Sequence, residues 1–260
     1  MGSIDEMMNK QINQQQAMRY SRQILLPGFD LERQEALMNA SVLQIGVGGL
    51  GCASAQYLVA AGIGAITLVD DDRVELTNLQ RQVLHGEQDI GKSKCASAKT
   101  SLVTLNSEVD IQTIEARLEG NALGQAIEQH DIVLDCSDNL DTRNEINRLC
   151  LVKQKPLVSG AAIRMEGQVI CFQPAADEPC YRCLSQFFGE QNLSCVESGI
   201  MSPVVGVIGA MQALEAIKIL TAYGQASIGR LMLFDGMTSS WSNFKVPKQP
   251  TCPDCSVKLT

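Results

Sequence analysis

A chain of 260 residues with 45% hydrophobic and 19% charged residues has the composition of a folded globular protein, which excludes an intrinsically disordered one. A net charge of −8 with no cluster of Lys and Arg excludes a nucleic-acid-binding surface and points to an acidic enzyme acting on small molecules or on another protein. With no run of eighteen apolar residues and no charged-then-apolar leader, the expectation is a soluble cytoplasmic protein without membrane contact, and its ten cysteines are expected as free thiols, metal ligands or catalytic thiols.

Residues 5–38 mix Met, Ile, Leu and Phe with Gln, Arg and Glu at helical spacing. The pattern predicts one or two helices broken near Pro27 and Gly28, in an N-terminal helical arm over residues 1–40. Strands are expected at Val42–Ile45, Ala65–Val69, Val109–Ile114, Ile132–Asp135 and Pro156–Ser159. Helical patterns around Ala53–Ala61, Lys94–Leu105, Leu123–Gln129 and Asn144–Lys153 separate them. That alternation predicts an α/β fold, a Rossmann-like parallel sheet with helices on its faces. After Gly160 the rhythm changes. Gly167–Gln173 follows with no intervening helix, as a hairpin or sheet extension; Pro203–Ala222 is a long helix, and Leu231–Asp235 and Ser240–Val246 close the sheet. No repeat or low-complexity linker divides residues 41–260, which are read as a single domain.

The first strand runs into a G-x-G-x-x-G turn carrying Gly46, Gly48, Gly49 and Gly51, and a small-residue helix follows. Without side chains in the way, backbone N–H groups approach phosphates closely, and the helix N-terminus adds favourable partial charge. The second strand ends in Asp70, 19 residues after Gly51, where an acidic side chain meets ribose hydroxyls. This fingerprint also serves NAD, so an NAD-dependent oxidoreductase is an alternative. Just beyond the second strand, however, lie Thr77, Asn78, Leu79, Gln80, Arg81, Lys92 and Lys94. A triphosphate losing pyrophosphate calls for compensating cations, which a dinucleotide diphosphate does not. Lys92 is read as a solvated surface residue. There is no G-x-x-x-x-G-K-[ST] motif, so the site is not that of an ordinary P-loop ATPase. At the end of the fourth strand, Asp135, Asp138 and Asp141 cluster at the edge where ligands bind in such sheets. Asp138 is a candidate Mg2+ ligand; either Asp138 or Asn139 is the candidate cap of the next helix.

Cys180-x-x-Cys183 and Cys252-x-x-Cys255 are two knuckles with 68 residues between them. Four thiolates in two such pairs suit a closed, structural zinc site, with a redox pair or unligated thiols as the competing readings. Binding would pin the C-terminal tail to the body of the protein. Cys195 stands apart, in a polar Gly-containing loop expected to be mobile and close to the nucleotide face. Cys52, Cys95, Cys136, Cys150 and Cys171 read as small buried hydrophobes. His85 and His130 receive no role.

In this order, G-x-G-G-L-G, an Asp-containing second strand, T-N-L-Q-R-Q, G-x-x-K, D-C-S-D-N and the two CxxC pairs resemble the ubiquitin-activating superfamily in its bacterial form, the MoeB, ThiF and HesA proteins. The resemblance covers residues 18–255. Around residues 19–24, 158–168 and 179–185 it is closest to the MoeB branch, which adenylates the small sulfur-carrier subunit of molybdopterin synthase. It implies that residues 41–260 form an ATP-binding adenylation domain including a zinc-binding tail. ATP would lie on the glycine turn and along Thr77, Asn78, Leu79, Gln80, Arg81 and Asn139, with Asp70 on the ribose, Asn78, Arg81 and Lys94 on the phosphates, and Asp138 organising Mg2+. Arg22 would reach the phosphates of a neighbouring subunit, making the active unit a homodimer. The implied partner is a ubiquitin-like sulfur carrier ending in Gly-Gly, in molybdenum cofactor biosynthesis or, alternatively, in the thiamine pathway. Cys195 matches the position at which some relatives carry an acyl- or sulfur-transfer thiol, although MoeB-like members adenylate without one.

Overall fold

A computed structural model describes residues 11–187 and 199–256. Among the described residues the arm contains three short helices, α1 (Gln14–Arg19), α2 (Ser21–Ile24) and α3 (Asp30–Asn39), where the sequence pattern predicts one or two. Asn13 and Gln16 form a reciprocal capping box that starts α1, Tyr20 leaves helical geometry between α1 and α2, and Pro27 and Gly28 separate α2 from α3. Tyr20, Phe29, Leu37 and Met38 are buried against the body.

The alternating apolar segments become β1 (Ser41–Ile45), α4 (Gly49–Ala61), β2 (Ala65–Val69), α5 (Lys94–Leu105), β3 (Asp110–Ile114), α6 (Gly120–Glu128), β4 (Ile132–Asp135), α7 (Leu140–Val152) and β5 (Leu157–Ile163). Then come β6 (Glu166–Phe172), α8 (Tyr181–Ser185), α9 (Ser202–Thr221), β7 (Arg230–Asp235) and β8 (Ser240–Lys245). One sheet has the order β3-β2-β1-β4-β5-β6-β7-β8. Its first five strands are parallel, and β6, β7 and β8 extend it antiparallel. The expected strand at Pro156–Ser159 runs on to Ile163 because all seven of its residues pair with β6.

Alternate side chains divide between two cores, as a period of two requires. Val42, Ile66, Ile132 and Val158 face α4, α5 and α9, whereas Leu43, Val133, Leu157 and Ile170 face α6, α7 and α8. Helix α9 is long and apolar enough to cross a bilayer by length and composition. Here it is a core helix. It lies so close to α4 that a side chain in place of Gly209 would collide with the Leu50 carbonyl, and its Gln212 and Glu215 are fully buried.

From β1 the chain winds outward through β2 and β3 on one side, while β4 lies on the other. The carboxyl ends of β1 and β4 therefore flank the point where strand order reverses, the crevice where open α/β sheets bind ligands.

Candidate functional site

Gly46 follows β1 with φ of 97°, a conformation that disfavours any side chain, and a Cβ there would press to 2.7 Å from the Cys136 carbonyl at the end of β4. No side chain caps α4 at Gly48, so its first-turn N–H groups point into the crevice. Asp70 accepts a hydrogen bond from Val47 N–H (2.7 Å) and another from Asp72 N–H (2.9 Å). A carboxylate expected to meet ribose thus also fastens the second strand to the glycine turn. Beneath it, buried Gln44 donates from Nε2 to the carbonyls of Gly46 and Gly51, each at 3.1 Å, and accepts from Ser54 (2.8 Å). His85 lies 3.4 Å from the Val47 carbonyl and 2.9 Å from Ser97 Oγ. Burial lowers its pKa and keeps the ring neutral. Sequence reasoning missed both supports. Gln44 had a signal, since a polar residue inside an apolar strand must find internal partners; an isolated histidine carried none.

Lys94 begins α5 and, with its side chain 8% exposed, pairs with Asp72 at 2.7 Å. Arg81 donates to the Thr77 carbonyl (3.1 Å) and packs beside Gly49. Asn78 accepts from Glu75 N–H and Thr77 donates to Glu75, closing a 3-10 turn over Leu76–Asn78, after which Leu79 is half-buried and Gln80 exposed. Lys92 is an exposed residue paired with Asp89, in keeping with its surface reading.

At the end of β4, Asn139 and not Asp138 caps α7, accepting from Thr142 N–H at 2.9 Å. Asp138 is exposed and makes no hydrogen bond or ion pair among the described residues. The loop that presents it is held from below. Asp135, 1% exposed, accepts from Ser137 N–H (3.0 Å), Ser137 Oγ (2.6 Å) and Ser159 Oγ (2.8 Å). Arg143 stands 3.8 Å from it and donates to the carbonyls of Ser137 and of Gly160, the latter at 2.9 Å. Burial disfavours the charged guanidinium most strongly of any single influence, but Asp135 together with Tyr181 and Cys136 outweighs it and the Arg143 pKa is raised. Gln212 donates from Nε2 to the Asp135 carbonyl (2.8 Å), tying α9 to the same edge. Neither Arg143 nor Gln212 was assigned a role from sequence, because nothing local marks either as buried, and Asp135 entered only as a member of the carboxylate cluster at the strand end.

The glycine turn, Asp70, Arg81, Lys94 and Asp138 therefore share one edge of the sheet. Arg22 does not join them within its own chain. Its neighbour Gln23 bonds the Ala61 carbonyl at the far end of α4, and thirteen helical residues place that end about 20 Å from the glycine turn.

The four cysteines of the two knuckles meet. Their sulfurs lie within 4.8 Å of one another, with Cys180–Cys252 at 3.7 Å and Cys183–Cys255 at 3.5 Å. Tetrahedral zinc with arms of about 2.3 Å separates its sulfurs by about 3.8 Å, so the donor set fits that ion. Cys52, Cys95, Cys136, Cys150 and Cys171 are all buried, and burial pushes the first three thiols up to about 12. They are inert core residues. Cys195 lies outside the described residues.

The ThiF family profile matches residues 20–254. The chain is 49% identical over 245 residues to the molybdopterin-synthase adenylyltransferase of Salmonella typhimurium LT2, covering 94% of this chain and 98% of that one. It is 42% identical over 244 residues to the sulfur carrier protein ThiS adenylyltransferase of Escherichia coli K12, covering 94% and 97%. Among solved structures, the crystal structure of Escherichia coli MccB with ATP superimposes with a TM-score of 0.79 at 25% identity, over 91% of this chain and 74% of that one.

Proposed function

The chain belongs to the ThiF family, and from that membership we propose that it is an ATP-dependent adenylyltransferase that activates the C-terminal glycine of the small sulfur-carrier subunit of molybdopterin synthase. The observation that carries the assignment is the 49% identity, over 94% of this chain, with a molybdopterin-synthase adenylyltransferase. Activation of the thiamine carrier is the second reading, favoured by the 42% relative that acts on ThiS. Against an NAD-dependent oxidoreductase stand the cations beyond β2.

In this reading the triphosphate lies over the glycine turn, with first-turn N–H groups of α4 and the side chains of Asn78, Arg81 and Lys94 around its phosphates. Thr77, Leu79, Gln80 and Asn139 line the nucleotide, and Asp70 turns to the ribose an edge already fixed by Val47 and Asp72. A carboxylate oxygen of the carrier attacks the α-phosphorus, the bond to the bridging oxygen of pyrophosphate breaks, and an acyl adenylate forms. No protein base is required, because the attacking carboxylate is ionised at neutral pH. The protein's task is positioning and charge compensation. Lys94 enters paired with Asp72, so the phosphates take over a cation that the fold already holds in place.

Two metals suit the residues. Asp138, exposed beside the crevice and unengaged among the described residues, fits a Mg2+ ion, which when bound would neutralise phosphate charge. Cys180, Cys183, Cys252 and Cys255 fit structural zinc, which joins the tail to α8. The distance of Arg22 from its own crevice and the exposed Met18, Leu25 and Leu26 around it support a homodimer in which Arg22 serves the site of a second copy. Free cysteines throughout the described residues fit the reducing cytoplasm. Cys195 remains a candidate transfer thiol for a step after adenylation.

Incubation with ATP and each purified carrier, read by mass spectrometry, tests the assignment. The expected product is the adenylate of the molybdopterin-synthase carrier; adenylation of the thiamine carrier alone would transfer the protein to that pathway.

A further inference from the structure

We infer that Arg143 is a positioning residue that couples the cysteine cluster to the Asp138 loop, so that zinc in the cluster and Mg·ATP in the crevice strengthen each other's binding. The inference rests on the reading of these two sites given above. Asn139, Arg143 and Asn147 recur every fourth residue along one face of α7. Asn139 fixes the start of the helix. Arg143, 7% exposed, grips the carbonyls of Ser137 and Gly160 on either side of the loop's base. On its other side the guanidinium lies 6.0 Å from the centre of the Tyr181 ring. Tyr181 sits between the cysteines of the first knuckle, and its N–H donates to Asn147 Oδ1 at 2.8 Å. Asn147 Nδ2 in turn donates to Asp254, between the cysteines of the second knuckle, at 2.9 Å.

One helix face thus clamps both knuckles at one end and holds the loop that presents Asp138 at the other. A guanidinium has a rigid planar fork, so a shift of Tyr181 away from it and a shift of Ser137 are not independent. Releasing the metal frees four crowded sulfurs and the Tyr181 backbone between them. The ring that packs on Arg143 is then free to move, and the loop loses one wall of its support. Linkage makes the effect reciprocal: whatever zinc does for nucleotide affinity, nucleotide does for zinc affinity by the same factor.

The test uses the full-length, zinc-loaded protein and follows metal transfer to a colour-forming chelator, with and without saturating Mg·ATP and in the absence of carrier. Wild-type protein, at equilibrium with the chelator, is expected to hold zinc about fivefold or more tightly when Mg·ATP is bound. Arg143→Lys keeps a cation beside Asp135 but loses the fork. It is expected to retain zinc, to show a raised KM for ATP, and to lose the protection even at saturating nucleotide. Because saturation is reached in both proteins, lost protection is not a consequence of weaker ATP binding. Equal zinc affinities with and without Mg·ATP in wild-type protein that binds both ligands would overturn the coupling alone, whatever the variant does. Failure to bind either ligand would overturn the coupling together with the reading beneath it. Full protection in Arg143→Lys would remove Arg143 from the path.

Discussion

Gly48 and Gly51 are three residues apart in the same turn, yet alanine should affect them in different ways. An added Cβ at Gly51 would lie 2.9 Å from Gln44 Nε2 and 2.9 Å from the Gly46 carbonyl carbon, with the carbonyl oxygen nearer still. Backbone occupies that space, so the turn must open and Gln44 must give up bonds to both of its carbonyls. Overpacking of this kind, with a lost buried bond, costs about 3 kcal/mol or more. At about 2–4 °C per kcal/mol for a chain of this size, Gly51→Ala should melt roughly 6–12 °C lower. At Gly48 the nearest atom to an added Cβ is Gln82 Nε2 at 3.8 Å, and the backbone is extended. Gly48→Ala should therefore fold with stability within about 1 kcal/mol of wild type. Under the proposed function its methyl group would instead stand where phosphate approaches the α4 N–H groups, and an ATP affinity loss of about tenfold, about 1.4 kcal/mol, is expected. Thermal melts without nucleotide and ATP titrations on both variants decide the matter. A wild-type melt for Gly51→Ala, or wild-type ATP affinity for Gly48→Ala, would refute the view that the first glycine is shaped by the ligand and the second by the fold.

Asp138→Ala and Arg22→Ala should each abolish ATP–pyrophosphate exchange. Mixed and allowed to exchange subunits, they should recover about a quarter of wild-type activity, because half the dimers then carry one intact site; no recovery would mean that Arg22 serves its own chain or none. Removing zinc with a chelator should lower the melting temperature and loosen the tail, as checked by calorimetry and by proteolysis near residues 249–256, and an unchanged melt would argue against a structural metal. The lowered pKa of His85 makes the folded state bind fewer protons than the unfolded one, so its contribution is complete above the unfolded value of about 6.5 and is lost as pH falls toward the folded pKa. In His85→Gln, urea-unfolding stability should fall less steeply with pH below about 6.5 than in wild type; parallel profiles would dismiss the buried ring as the cause.

The parallel half of the sheet was legible because short apolar runs end abruptly in Gly or Asp, and Ala65–Val69 and Ile132–Asp135 match their predicted bounds for that reason. The arm was harder to read. Helical spacing persists across Tyr20, where the helix breaks and the ring is buried against Gly62, a contact no local pattern announces. In the candidate site, residues belonging to a contiguous motif could be proposed from sequence, since glycine spacing and a carboxylate at a strand end are local signals. Asp135, Arg143 and Gln212 come from two helices and a strand and meet only after folding. Arg143 in particular sits among Asp, Thr and Asn, a setting that reads as solvent-facing until the Asp135 carboxylate and two carbonyls close around it.

The bonds from Val47 and Asp72 to Asp70 bear on how this protein can change over time. Under the proposed function, a carboxylate that closes the turn and also meets a ribose would tie heritable stability to ligand recognition in one side chain. A lineage abandoning that nucleotide could not then discard Asp70 freely, because the scaffold would lose its fastening to Val47 and Asp72. Descendants that keep the fold but no longer bind nucleotide should therefore keep this aspartate as a relic and show their loss elsewhere, at exposed positions such as Asp138 that the fold itself does not use.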